Sequence, residues 1–408
     1  LKKKIPVKDL KIGMFVCAVE THWLKTPFLF HAFLIESQQH IKKLIQCCRQ
    51  VTIDTTKGTN VHEENNTLTK QLIEEVKGKT EPVNKSVSPL HKKTLQASES
   101  IYSKSVSILS GIFQDIRFGQ SLNTASVRRV VEDLTSNIIS NENAMLYLTQ
   151  MKKKNNSLAQ KSVNVCILTL AFAKQIGIAK SKMKILGLGA ILHDVGMVYV
   201  SQDILKNGQQ LTQLQRKMVK KHPEFGIDIL NKVSGIPEEV KEIVLCHHER
   251  CNGQGYPRGL KAKEVSLFTR MVAITSVYEA MTRERLYQQE YSPIETLKSL
   301  YTKRNKDFDA RLIEKFIHTL GIYPIGCLVE TCQKEIAIVI ENNSTDRLRP
   351  VLELVADKDC NILDSRKVIN LCDKPFSKIK IRSVMAAKDP RVAPILEQLG
   401  KTINLDTA

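Results

Sequence analysis

The alternation of apolar and polar positions divides the 408-residue chain into regimes of different period. Residues 1–57 carry short apolar runs of strand length: 7–19, broken by Gly13, then 28–35 and 51–54. Residues 37–48 between them fit a helix. Residues 58–95 lose this pattern, with Gly58, Gly78, Pro82 and Pro89 set among Lys, Glu and Asn, and read as a linker around one helix at 68–76. From about residue 96, apolar side chains recur every three to four positions. That period predicts helices at 95–118, 125–140, 143–151, 158–175, 182–192, 212–232, 237–247, 267–282, 293–301 and 310–320. Gly177 suits a helix C-terminus, and Thr212 with Gln215 forms a capping-box pattern. Past residue 325 the runs shorten again, and 327–329, 336–340 and 351–355 read as strands. The expected fold is mainly α: a helical bundle with a small β-rich N-terminal domain (1–57), connecting segments (58–144), the bundle (145–325) and a short β-containing C-terminal appendix (326–408).

Composition narrows the partners. The chain has 61 Lys and Arg against 42 Asp and Glu, a formal charge of +19, which suits an anionic ligand or surface. The basic runs Lys2-Lys3-Lys4, Lys152-Lys153-Lys154 and Lys220-Lys221 are scattered and carry no interleaved stacking aromatics, so no nucleic-acid partner is expected. Ten cysteines lie without framework spacing, with Cys47-Cys48 adjacent and no CxxC, as in reduced cytoplasmic proteins. No apolar segment follows Leu1-Lys2-Lys3-Lys4, so no signal peptide is expected there. The longest apolar run, 185–192, is far shorter than a membrane span.

The chemistry concentrates between residues 193 and 257. His193, Asp194, His222, His247 and His248 are nitrogen and oxygen donors suited to a first-row transition metal. Any one of these histidines alone reads as a structural or surface residue. Just beyond them, Gly253, Gly255, Tyr256 and Pro257 form a turn whose backbone amides can approach a phosphate; a plain tight turn is the alternative. Metals suit phosphodiester hydrolysis because they polarise the phosphoryl oxygens and lower the pKa of bound water from about 16 to about 7.

The ordered set His193-Asp194, His222-Pro223, His247-His248-Glu249, Gly255-Tyr256-Pro257-Arg258-Gly259-Leu260, Tyr278-Glu279-Ala280-Met281-Thr282 and Arg285-Leu286-Tyr287 resembles an HD-GYP domain over roughly residues 145–325. That family is a branch of the HD phosphohydrolases whose members hydrolyse cyclic di-GMP. The resemblance implies a helical bundle with a divalent transition metal, such as Fe or Mn, held by His193, Asp194, His222, His247 and His248. It assigns Asp194 to catalysis and places Gly255, Tyr256, Pro257 and Arg285 against cyclic di-GMP or a related nucleotide; a surface ion pair is the alternative for Arg285. Protein partners and a homodimer are compatible with this class. Gly13-Met14-Phe15-Val16, Trp23 and Pro27-Phe28-Leu29-Phe30 resemble a small accessory domain often found ahead of HD-GYP domains.

Three matched positions depart from the family pattern. Lys161 stands where a metal-binding histidine is usual, Ser276 where an aspartate is usual, and Met197 where a lysine would face the substrate phosphate. Asn252 and Gln288 are lesser changes. Loss of the first two leaves one metal with two of its four expected ligands, while the position built from Asp194, His222, His247 and His248 keeps its set. A protonated ammonium has no lone pair to donate, so Lys161 either replaces the missing cation beside Asp194 or points to solvent. Three readings stay open: a weakened cyclic di-GMP phosphodiesterase, a non-catalytic cyclic di-GMP receptor or protein-interaction module, and a phosphohydrolase for another phosphoester.

Overall fold

The structure, a computed structural model, describes residues 2–10, 12–19, 33–35, 38, 41, 44–45, 48–54, 92–151, 157–201, 204, 212–282, 291–343, 346, 348–385, 389–392 and 394–395. It divides into two compact units, Leu1–Ser88 and Pro89–Ala408. Trp23, the run 27–30, the linker helix expected at 68–76, Arg285 and Gln288 lie outside the described residues, as does most of the helix expected at 37–48.

In the first unit, β1 (Lys2–Pro6), β2 (Phe15–Val19), β3 (Phe33–Leu34) and β4 (Gln50–Asp54) form an antiparallel sheet in the order β1-β4-β2-β3. Its apolar core includes Ile5, Val7, Met14, Val16, Ile35, Leu44, Val51 and Ile53. The run at 7–19 is not one strand interrupted at Gly13: Val7–Asp9 is a 3-10 turn, and only Phe15–Val19 is extended.

The second unit opens with α1 (Lys92–Arg117), α2 (Thr124–Met151), α3 (Leu158–Gln175) and α4 (Lys180–Leu192). Then come α5 (Gln213–Val219), α6 (His222–Asn231), α7 (Glu238–Cys246), α8 (Leu267–Thr282), α9 (Pro293–Thr302) and α10 (Ala310–Leu320). The two helices expected at 125–140 and 143–151 are one element, α2, bent at Asn141 (φ −136°, ψ 46°). The helix expected at 212–232 is instead two. Pro223 has no N–H for the carbonyl of Val219 and its ring crowds that carbonyl, so the chain breaks at Lys220-Lys221 and restarts with Pro223 in the first turn of α6.

Helices α3 and α8 form the centre. Val163 to Ala173 of α3 are all buried, as is nearly every residue from Thr269 to Glu279 of α8, so neither helix shows a clean polar face. Their buried hydroxyls satisfy one another, with Thr169 and Thr275 sharing a hydrogen bond of 2.8 Å. Beyond the helices, β5 (Leu328–Thr331), β6 (Ile336–Glu341), β7 (Val351–Ala356), β8 (Ile362–Asn370) and β9 (Ile381–Val384) form an antiparallel sheet in the order β8-β7-β6-β5-β9. Strands β8 and β9 are absent from the sequence expectation. Both are largely solvated, so they lack the apolar run that marks β5 to β7. The architecture is mainly α with β structure at both ends, as the periodicity predicts.

Candidate metal centre

Three helix ends converge on one carboxylate, and each delivers a histidine by the same device. His193 and His247 cap α4 and α7, where the final carbonyls have no intrahelical donor. His193 Nδ1 bonds the carbonyl of Ala190 at 2.7 Å, and His247 Nδ1 bonds that of Val244 at 3.0 Å. His222 Nδ1 bonds the carbonyl of Val219 at 2.7 Å, the one that Pro223 leaves without a donor. A carbonyl only accepts, so Nδ1 carries the proton in all three rings and Nε2 keeps its lone pair.

The three Nε2 atoms face Asp194. His222 Nε2 and His247 Nε2 lie 3.2 and 3.4 Å from Oδ1, and His193 Nε2 lies 3.3 Å from Oδ2. Among the described residues His193 Nε2 makes no hydrogen bond, a buried acceptor in want of an electrophile. Asp194, His222, His247 and His248 offer donor atoms that all lie within 4.8 Å of one another. Neutral imidazoles and one carboxylate fit a single first-row divalent ion, so this His/Asp cluster could hold a metal.

Protonation states agree with that use. Burial pushes His247 down to about 3 and His248 well below the usual imidazole value, the neighbouring histidines adding to the effect. Burial alone would raise the Asp194 carboxyl, but the charges and hydrogen bonds around it, the Lys161 ammonium among them, hold it well below the carboxylate range. Lys161 projects from α3 and donates to Asp194 Oδ2, on the side opposite the oxygen that meets His222 and His247. Of the two alternatives the sequence leaves open for this ammonium, the structure shows the one beside Asp194. Ser276 is buried on α8, and its hydroxyl donates to the carbonyl of Ala273 in its own helix at 3.3 Å. Glu279, one turn on, accepts from Asn164 Nδ2 at 3.4 Å. Met197 is half-buried in the 3-10 turn Val195–Tyr199 that follows Asp194. That turn lies so close to α6 that a Cβ on Gly196 would meet the carbonyl oxygen of His222 at 2.0 Å.

The Gly-Tyr-Pro turn adjoins the cluster. Tyr256 stacks on His248 with ring centroids 4.5 Å apart and planes inclined at 17°, and Lys220 Nζ stands 5.1 Å from the centroid of the same ring. The Tyr256–Pro257 peptide is cis. Gly255 is required by close approach: a Cβ there would meet Glu249 Cα at 2.4 Å, Arg250 N at 2.5 Å and His248 O at 2.6 Å. Glu249, which sequence reading quotes but gives no role, is buried and accepts from three consecutive amides, Arg258, Gly259 and Leu260, at 2.7, 3.1 and 2.9 Å. Its partners lie nine to eleven residues downstream, beyond any local pattern.

Residues 133–312 match the family model described as "HD domain". The chain carries an HD domain. Ahead of the HD domain, residues 2–127 match "Domain of unknown function (DUF3391)". The chain is 29% identical over 90% of its length to a cyclic di-GMP phosphodiesterase of Pseudomonas aeruginosa, covering 89% of that protein. It is 23% identical to the cyclic di-GMP phosphodiesterase PdeB of Borreliella burgdorferi, over 55% of this chain and 59% of that one. A solved HDG"Y"P protein from Bdellovibrio bacteriovorus is 18% identical with a TM-score of 0.46, covering 78% of this chain and 99% of that one. His193-Asp194 and the Gly255-Tyr256-Pro257 turn both fall within the matched residues 133–312. Among the described residues no helix is long and apolar enough to cross a membrane.

Proposed function

We propose that this chain is a cytoplasmic cyclic di-GMP signalling protein whose HD domain binds cyclic di-GMP and hydrolyses it slowly. The observation that carries the reading is the convergence of Asp194, His222, His247 and His248 beside the stacked Tyr256. Similarity to cyclic di-GMP phosphodiesterases supplies the substrate class. Asp194 Oδ1 and the three imidazoles would hold one divalent ion, Fe or Mn by donor type. When bound, such an ion polarises a phosphodiester oxygen and lowers the pKa of a bound water.

The chain's own residues do the rest. The Nδ1 anchors of His193, His222 and His247 fix ring orientation before any ligand arrives. Tyr256 braces His248 and walls the site, with Gly255 and Pro257 setting where that wall stands. Arg285 would meet a substrate phosphate. Lys161 and Ser276 argue for slow turnover: Lys161 takes Asp194 Oδ2, and the Ser276 hydroxyl is turned to its own helix, so a second ion has few donors. The domain division proposed with this reading is 1–57, 58–144, 145–325 and 326–408.

Metal content of the purified chain, cyclic di-GMP binding by calorimetry and hydrolysis with Mn²⁺ or Fe²⁺ test this directly. The expected result is a single ion per chain, saturable binding, and hydrolysis that stops with chelator. Absence of both metal and nucleotide binding refutes the proposal; binding without hydrolysis makes the protein a receptor.

A further inference from the structure

Glu249 follows directly on the histidine pair, yet its side chain faces away from the metal-capable cluster. It stands just beyond α7, its own amide bonded to the carbonyl of Cys246 at 2.9 Å. Its carboxylate turns to the returning arm of the Gly-Tyr-Pro loop, Oε1 accepting from Arg258 and Gly259 and Oε2 from Leu260. The residue is 4% exposed, so these three amides have little access to water as a substitute. A carboxylate is the one side chain of this length with two acceptor-only oxygens, which is what three converging N–H groups require.

The loop has a second attachment at its outgoing arm. Gly255 rests on the backbone of His248, Glu249 and Arg250 with no room for a Cβ, and the Tyr256 amide points at the carbonyl of His248 at 3.4 Å. Between the two attachments stands Tyr256, its ring stacked on His248. The segment 248–250 therefore both carries the candidate metal donor His248 and serves as the platform for the loop. Glu249 joins that platform to residues 258–260 through its side chain.

We propose that Glu249 is a positioning residue for ligand binding: by gathering the amides of Arg258, Gly259 and Leu260, its carboxylate fixes the Tyr256 ring against His248, and so sets the affinity of the site for a cyclic dinucleotide. This rests on the functional reading above for the identity of the ligand, and on geometry alone for the loop. Glu249 touches no donor atom of the cluster, so its effect should separate from metal binding.

The test is E249Q, which keeps the shape but turns an NH₂ toward amide donors, with E249D as a second variant that keeps the charge but falls short by one methylene. Three readouts are taken on full-length protein: metal content, backbone amide exchange across 250–261, and affinity for cyclic di-GMP. The expected outcome is unchanged metal content, faster exchange at 258–260, and affinity weakened by roughly 10- to 100-fold in both variants. Unchanged exchange at 258–260, or loss of metal in step with affinity, overturns the proposal. So does loosened exchange with unaltered affinity. If wild-type protein takes up metal but binds no cyclic di-GMP, the ligand assignment fails, and the proposal that the loop position governs dinucleotide affinity fails with it. Exchange at 258–260 then reports separately on whether Glu249 holds the loop.

Discussion

Replacing Lys161 with methionine should strengthen metal binding, and the size of the effect follows from where the ammonium sits. Lys161 donates to Asp194 Oδ2, its side chain 24% exposed against 2% for Asp194, so the pair is neither fully solvated nor dry. Opposite charges about 4 Å apart attract by about 1 kcal/mol in water and by about 4 kcal/mol at an effective dielectric near 20. An incoming divalent ion loses a comparable amount, because it meets a carboxylate already neutralised and a like charge behind it. At 1.4 kcal/mol per decade, K161M should therefore bind Mn²⁺ more tightly by about 5-fold to about 1000-fold. The metal-free variant should be less stable than wild type, by up to about 3–5 kcal/mol, because a buried carboxylate has lost its ammonium. Metal should then raise its unfolding midpoint by more than it raises that of wild type. Titration calorimetry and thermal unfolding with and without chelator read both quantities. Mn²⁺ affinity within about twofold of wild type, together with an unchanged metal-free midpoint, would show that the ion pair carries none of this energy.

The double variant Lys161→His with Ser276→Asp should raise metal content above that of wild type and speed cyclic di-GMP hydrolysis; unchanged content on elemental analysis refutes the claim that these positions limit the site. Gly255→Ala forces a Cβ to within 2.4 Å of Glu249 Cα, so the turn must lift, and cyclic di-GMP binding should fall while metal content holds. Gly196→Ala meets the His222 carbonyl oxygen at 2.0 Å and should cost both metal and folded protein, as read by elemental analysis and soluble yield. Among the described cysteines, thiol alkylation mapped by mass spectrometry should label exposed Cys332 and Cys372 first. Cys246, pushed up to about 11 by burial, and Cys166, raised further by complete burial, should react only on unfolding.

Legibility in the sequence varied with how local the cause was. Helices α3, α8 and α10 match the expected spans residue for residue, because helical period and capping residues act within a few positions. The break before α6 escaped the pattern although Pro223 was in view: the apolar period runs unbroken across it, and only the freed Val219 carbonyl shows why the break matters. Strands β8 and β9 escaped for the opposite reason. Strand β9 pairs with the distant β5, while β8 forms a hairpin with its neighbour β7, and the solvated side chains of both leave no apolar trace. Lys161 and Ser276 could be flagged from sequence as substitutions, but not where their side chains point.

The sequence by itself determined that the chain is mainly helical, that nitrogen and oxygen donors recur in a fixed order, and that a glycine-rich aromatic turn follows them, since each depends on residue type and spacing along the chain. The tertiary structure decided which of those donors meet. It turned three Nε2 lone pairs onto one carboxylate through helix-end carbonyls, set Lys161 on the far oxygen of Asp194, and gave Glu249 three amides to hold. Apart from His193, the sequence neighbour of Asp194, these contacts join residues nine or more positions apart. Hydrogen-bond direction and charge separation fix their chemistry, and both exist only once the chain has closed on itself.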